Sequence, residues 1–221
     1  MWKSFLDLWL KLPCPLCQRA ADDVVCRYCQ QKLESYCLND SQALWQGDLP
    51  VFVWGRYEGE LKRAIAALKY QNHPEIGILL GKWLARTWQK NNRISPKSKL
   101  TVVPIPLHRT KLEKRGFNQA VSIAKGFCYE TGDYLKPEVL IRVKATEAMF
   151  NLNPTQRKKN LKNAFTIGEN WQKLSKSTSI LLLDDIYTTG TTLKEAAQIL
   201  RQQNINVLGA VVIATSYRLE I

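Results

Sequence analysis

Residues 180–192, Ile-Leu-Leu-Leu-Asp-Asp-Ile-Tyr-Thr-Thr-Gly-Thr-Thr, restrict the fold more than any other stretch of the chain. Ile180 to Leu183 form an unbroken apolar run of the length expected for a strand buried on both faces. Asp184 and Asp185 follow at once, where such a strand is expected to end. Tyr187 and Thr188-Thr-Gly-Thr-Thr192 then place four threonines around Gly190. Leu193, Ala196, Ala197 and Leu200 repeat at helical spacing directly behind, which predicts a helix over 191–203.

A strand, a polar turn and a helix start together make an anion site. Amides of the first helical turn lack intrahelical partners, and the helix dipole favours negative charge there. Threonine hydroxyls add donors, and Gly190 lets the backbone approach an anion closely. Open α/β sheets bind ligands at the carboxyl ends of their strands. A phosphate therefore suits Thr188–Thr192. Asp184 and Asp185 would repel phosphate and suit the hydroxyls of a sugar, to which a carboxylate offers only acceptors. Ribose with a 5′-phosphate satisfies both halves. A turn that merely capped a helix would need one Asp or Thr, not this cluster.

A chain of 221 residues accommodates one α/β domain and a small extra segment. Its apolar runs fall well short of the roughly 20 residues a membrane-spanning helix needs. Residues 1–12 are amphipathic, with Trp2, Phe5, Leu6, Trp9 and Leu12 at helical spacing. They include Asp7 and lack an apolar core followed by small residues, so no secretory signal is read here and a cytoplasmic location is expected. Net charge is +13 and the pI about 9.5. This fits either a lysine-rich surface or a polyanionic partner, nucleic acid or a phosphorylated substrate. The basic residues concentrate at 108–115, 142–144 and 157–162.

Cys14-Pro-Leu-Cys17 and Cys26-Arg-Tyr-Cys29 are two C-x-x-C pairs separated by eight residues. Four thiolates at this spacing can close a tetrahedral zinc shell with no open position, which makes the metal structural. So short a segment has little core of its own, and a metal would supply the missing stability. Redox pairs and an iron–sulfur or dinuclear site are alternative uses of the same spacing. Cys37 and Cys128 lack partners at such spacing and read as ordinary thiols.

Between these landmarks, strands are expected at 51–57, 100–106, 139–143, 164–168 and 205–214, the last an inner strand. Helices are expected near 61–70, 74–90 and 119–130. Trp83 and Trp88 lie on the apolar stripe of the second helix and are expected to pack in the core. Residues 108–119, His-Arg-Thr-Lys-Leu-Glu-Lys-Arg-Gly-Phe-Asn-Gln, read as a cationic loop after a strand, suited to a pyrophosphate because arginine forks onto two oxygens. The alternation predicts an α/β fold with a parallel sheet and flanking helices.

The 180–192 stretch resembles the phosphoribosyl-pyrophosphate (PRPP) signature of type I phosphoribosyltransferases. No Walker pattern occurs in the chain. The likeness extends to Val103-Pro-Ile-Pro-Leu-His-Arg-Thr110, Arg115-Gly-Phe-Asn-Gln119, Arg142, Thr146, Arg157, Asn160 and Ala164-Phe165. With the paired cysteines, Tyr57-x-Gly59 and Leu68-Lys69-Tyr70, these resemble the ComF family of competence proteins. The resemblance implies a type I phosphoribosyltransferase-like parallel sheet over 46–221 and a helix with a four-cysteine zinc knuckle over 1–45.

It further implies that Asp184 and Asp185 hold ribose hydroxyls, that Thr188, Thr189, Gly190, Thr191 and Thr192 hold the 5′-phosphate, and that Tyr187 also contacts PRPP. His108, Arg109 and Arg115 would lie near the pyrophosphate or in a flexible loop, with His108 and Arg109 among the PRPP-binding residues. Arg109 and Arg115 are then candidate catalytic residues beside the two aspartates. Mg²⁺ would arrive held mainly by PRPP. The implied role is natural transformation, handling single-stranded DNA beside a competence helicase and other DNA-uptake proteins. One departure is Met149, in Thr146-Glu-Ala-Met-Phe-Asn-Leu152, where the family carries Gln. A transferase of nucleotide metabolism with an unidentified acceptor base, and a non-catalytic scaffold of the competence machinery, are the other functions this sequence accommodates.

Overall fold

The computed structural model describes residues 12–91, 98–144, 164–173 and 178–217. The chain forms α1 (Arg27–Glu34), β1 (Val51–Arg56), α2 (Gly59–Tyr70), α3 (Pro74–Lys90), β2 (Thr101–Pro104), α4 (Arg109–Arg115), α5 (Gln119–Thr131) and β3 (Tyr134–Leu135). It continues through β4 (Leu140–Arg142), β5 (Phe165–Ile167), β6 (Ser179–Tyr187), α6 (Thr191–Arg201) and β7 (Asn206–Thr215). Five strands make one parallel sheet in the order β1–β7–β6–β2–β3.

Strand alternation divides the core into two layers. Leu181, Leu183, Val211 and Ile213 pack with Leu61 of α2, Leu84 of α3 and Ile123 of α5. Ile180, Leu182, Ala210 and Val212 face the other way, onto Leu193, Ala197 and Leu200 of α6. Burial on both faces explains why β6 and β7 read as continuous apolar runs. On the first face, α3 and α5 approach so closely that a Cβ at Gly81 would lie 2.0 Å from the Ile123 carbonyl oxygen. Trp83 and Trp88 are buried there as expected, Trp88 edge-on to Phe52 at 5.2 Å.

The cysteine segment shares this core, since Cys14, Leu16, Val25 and Leu33 pack in the same apolar cluster as Leu61 and Ile65 of α2. Arg63 of α2 donates to the Leu16 carbonyl at 3.0 Å. The parallel sheet with helices on both faces and a four-cysteine segment at its N-terminal side is the fold class read from the sequence.

Three local readings need correction. β6 does not end at Leu183 but runs on through both aspartates to Tyr187, because β7 continues to pair with it as far as Tyr187 opposite Thr215. Residues 109–115, read as loop, form a short helix. His108 Nδ1 accepts from the Thr110 amide, Arg109 pairs with Glu113 one turn on, and Gly116 closes the end in the left-handed region at φ 82°. β4 and β5 leave the parallel sheet and form an antiparallel pair of their own. The helix read over 1–12 lies outside the described residues apart from Leu12, as do Thr146, Met149, Arg157 and Asn160. Among the described residues no helix is long and apolar enough to cross a membrane.

Candidate functional site

The sheet topology opens the site. From β2 the chain leads outward to β3 on one side, whereas β6 leads to β7 on the other, so connections change direction between β2 and β6. The two strands pair only to Pro104 opposite Leu183, with a last bond from the Ile105 amide to the Leu183 carbonyl at 2.8 Å. Beyond it their ends part, as at the switch points where open sheets take ligands. A cavity of about 940 Å³ occupies this place. Its walls come from Tyr57, the end of α2 (Lys69, Tyr70), residues 105–107, the α4–α5 region (Lys111, Lys114, Arg115, Gln119), Arg142, and Asp184, Asp185, Ile186, Thr188 and Thr192.

At one end lies the threonine turn. Gly190 adopts φ 70° and begins α6 without any side chain capping the helix, so the first-turn amides point outward without a side-chain acceptor. A Cβ at Gly190 would sit 2.7 Å from the Tyr187 ring, which packs against the glycine. Thr188 and Thr192 line the large cavity. Tyr187, Gly190 and Thr191 join them around a small adjoining cleft. Thr189 is exposed, and its hydroxyl is 2.8 Å from that of Thr191.

The carboxylates lie at the centre. Asp185 is 4% exposed and forms an ion pair with Lys69 Nζ, itself largely buried. Asp184 Oδ1 accepts the Asp185 amide at 2.8 Å. Burial, with the Asp185 charge next to it, raises the Asp184 carboxyl well above the usual carboxylate range. For Asp185 burial acts in the same direction but is outweighed by the Lys69 ammonium, which holds it below that range. Lys69 mirrors this: burial lowers it, and Asp185 more than restores it.

The remaining wall is cationic. Lys111 is lowered by burial and by repulsion from Arg142 and Arg115. Arg142 is lowered by burial, against the pull of Asp184. Arg115 donates to Gln119 Oε1, and its guanidinium lies 5.5 Å over the Tyr70 ring. Five cationic side chains (Lys69, Lys111, Lys114, Arg115, Arg142) against two carboxylates give the cavity a positive surplus that favours a multiply charged anion.

Asp184, Asp185, Thr188, Thr192 and Arg115 thus come together around one cavity, with Tyr187, Gly190 and Thr191 beside it. His108 and Arg109 are not among its walls. His108 caps α4, and the Arg109 side chain is 87% exposed and bound to Glu113 at 2.8 Å. Sequence reasoning reads Lys111 and Lys114 only as part of the cationic stretch 108–119 and does not single out Lys69. Lys69 sits in Leu68-Lys69-Tyr70, which carries a resemblance but no chemistry, because its partner is distant in the chain.

The four cysteines converge at the opposite end of α2. The Sγ atoms of Cys14, Cys17, Cys26 and Cys29 all lie within 4.8 Å of one another, and none is in a disulfide. Cys17 and Cys26 are 3.5 Å apart. A tetrahedron with zinc–sulfur bonds of ~2.3 Å has edges of ~3.8 Å, so the set fits such an ion with little adjustment. Burial would raise the Cys14 thiol, but backbone hydrogen bonds at Cys26, Leu16 and Cys17 outweigh it and bring it to about 7. Cys37 and Cys128 stand apart, both raised by burial, Cys128 to about 12.

No family model matches the chain. Competence protein F of Haemophilus influenzae is 27% identical over 199 residues, 87% of this chain and 85% of that protein. Competence protein ComFC of Bacillus subtilis is 29% identical over 193 residues, 86% of this chain and 72% of that one. DNA utilization protein YhgH of Salmonella typhimurium is 31% identical over 146 residues, 65% of this chain and 62% of that one. Among solved structures, adenine phosphoribosyltransferase from Leishmania donovani aligns over 85% of this chain and 67% of its own, with a TM-score of 0.39 and 13% identity. The allosteric regulatory enzyme of purine biosynthesis aligns over 64% of this chain and 26% of its own, with a TM-score of 0.37 and 18% identity.

Proposed function

From the premise that this chain belongs to the ComF family, with Competence protein F, ComFC and the YhgH proteins as homologues, we propose that its cavity binds PRPP and that the protein acts in DNA uptake, handling single-stranded DNA beside a competence helicase. The observation that carries the ligand assignment is the order of groups along the cavity. An uncapped helix start with threonines comes first, then two carboxylates, then a cationic wall. In this reading Thr188–Thr192 receive the 5′-phosphate, Asp184 and Asp185 the ribose hydroxyls, and Lys111, Arg115 and Arg142 the pyrophosphate. His108 and Arg109, outside the walls, have no direct contact with it.

Mg²⁺ fits as a companion of the ligand, because it keeps its waters and is held by phosphates with few protein ligands. When bound it would neutralise charge on the pyrophosphate. The four cysteines hold a structural zinc, residues 1–45 form the zinc-holding segment, and residues 46–221 form the phosphoribosyltransferase-like domain. The name DNA utilization protein, borne by the YhgH relatives, and the +13 net charge support a nucleic-acid partner, whose binding would weaken steeply with salt.

A second reading is favoured by the surplus of cations, which could stabilise departing pyrophosphate and so support transfer of ribose 5-phosphate to a base. Calorimetric titration with PRPP and Mg²⁺, followed by a pyrophosphate-release assay over bases and single-stranded DNA, separates the two. Binding without release supports the first reading, and release names the acceptor for the second. In either case Asp184→Asn with Asp185→Asn is expected to weaken PRPP at least about 100-fold, or ~2.7 kcal/mol, with the circular-dichroism spectrum unchanged. Wild-type affinity in that variant would remove the assignment.

A further inference from the structure

Two adjacent carboxylates within a largely buried strand pose an electrostatic problem that proteins commonly resolve with a divalent cation, since Mg²⁺ and Mn²⁺ take carboxylate oxygens readily. Here another group stands at that position. Lys69 reaches Asp185 from the last turn of α2, and its side chain is 15% exposed against 6% for the aspartate. The helix that carries it is fixed: Leu61, Ala64, Ile65 and Leu68 are fully buried. Lys69 therefore cannot withdraw its backbone, and its ammonium is delivered to the carboxylate by the fold. The other cationic walls arise elsewhere, Lys111 and Arg115 from α4 and Arg142 from β4.

We propose that Lys69 is a positioning residue standing in for a metal: its ammonium fills the cation position at Asp185, so that the Asp184–Asp185 pair takes sugar hydroxyls and binds no divalent ion of its own. An ammonium is a compact charge with three donors, and burial of the Lys69 side chain limits the water around it. It neutralises Asp185 through Oδ2 and takes up neither Asp185 Oδ1 nor the Asp184 carboxyl. A carboxylate-bound hydrated ion would occupy those same oxygens and interpose its water. Divalent metal then enters the cavity only on the phosphates of the ligand. The inference rests on the reading of Asp184 and Asp185 as ribose acceptors.

The test uses Mn²⁺ alone, without PRPP, on full-length zinc-loaded protein, with free Mn²⁺ followed by electron paramagnetic resonance. Four proteins are compared: wild type, Asp185→Asn, Lys69→Met, and Lys69→Met with Asp185→Asn. The expected result is that Lys69→Met binds one Mn²⁺ at least about tenfold more tightly than wild type, and that adding Asp185→Asn abolishes the gain. A purely structural lysine would not move this readout. Equal Mn²⁺ binding by wild type and Lys69→Met overturns the proposal. So does a wild-type Mn²⁺ site that disappears in Asp185→Asn, a comparison that decides the matter even where Lys69→Met fails to fold. Failure of wild type to bind PRPP overturns the ligand assignment instead, and the Mn²⁺ comparison is read independently of it.

Discussion

The cysteine segment and the strand-end cavity both gather groups that repel one another once charged, and they are relieved by different means. Four sulfurs lie within 4.8 Å of one another and face inward, so one cation between them would serve all four at once. In the cavity the carboxylates are answered from inside the fold by Lys69, while Lys111, Arg115 and Arg142 share the cationic wall, where Lys111 is lowered by burial and then by the two arginines. The contrast separates structural from functional ligand sites. A group that must hold the fold is closed around its ion, whereas a group that must release its ligand keeps repulsion in reserve on the side where the ligand arrives.

The comparison breaks most visibly at the sulfurs. Cys14→Ser is expected to reduce bound zinc from one per chain to none, to abolish hydrogen-exchange protection over residues 12–37, and to lower Tm by at least about 10 °C. A variant that keeps one zinc by atomic absorption would refute the four-cysteine site. At the cavity, Arg115→Ala is expected to weaken PRPP about tenfold, or ~1.4 kcal/mol, and to flatten its salt dependence. Arg109→Ala, on the outward side of α4, is expected to stay within about twofold. Reversal of that order would move the pyrophosphate wall to the other end of α4.

The smallest effect concerns protons. Asp184 is raised well above the usual carboxylate range. A folded-state pKa above the unfolded one contributes stability that is complete below the unfolded value and is lost as pH rises through the folded one. Asp184→Asn removes that loss. Its Tm should exceed that of wild type by a few degrees at neutral pH and converge with it near pH 4. Asp185 runs the other way. It is held low by Lys69, and its contribution is present above the unfolded value and lost as pH falls through the folded one. A thermal-shift series from pH 4 to 8 on wild type and Asp184→Asn reads both.

Much of this is legible in the sequence because it is local. The run Ile180–Leu183, the threonine turn and the stripe of α6 each carry their own period or turn chemistry, and both cysteine pairs announce themselves by spacing. What escapes is either long-range or masked. Lys69 acquires its role only when α2 is laid against β6, 116 positions downstream. α4 hides inside a charge run, since seven residues with no buried side chain give no apolar period to read. The end of β6 is misplaced from sequence because Asp184 and Asp185 look like a stop signal, whereas pairing with β7 overrides local preference. The departure of β4 and β5 from the main sheet has the same origin, for short strands carry no mark of which neighbour they will choose.

Helix α2 has a mechanical consequence. Tyr36, just past the cysteine segment, lies against Gly59 at its start, Arg63 grips the Leu16 carbonyl, and Lys69 ends in the cavity. Arg63 and Lys69 are six positions apart on the helix, a rigid span of ~9 Å. The helix is thus a strut clamped at both ends. The four-cysteine segment braces the member from which the lysine is cantilevered, so disturbing the sulfurs slackens the same beam that aims an ammonium at Asp185.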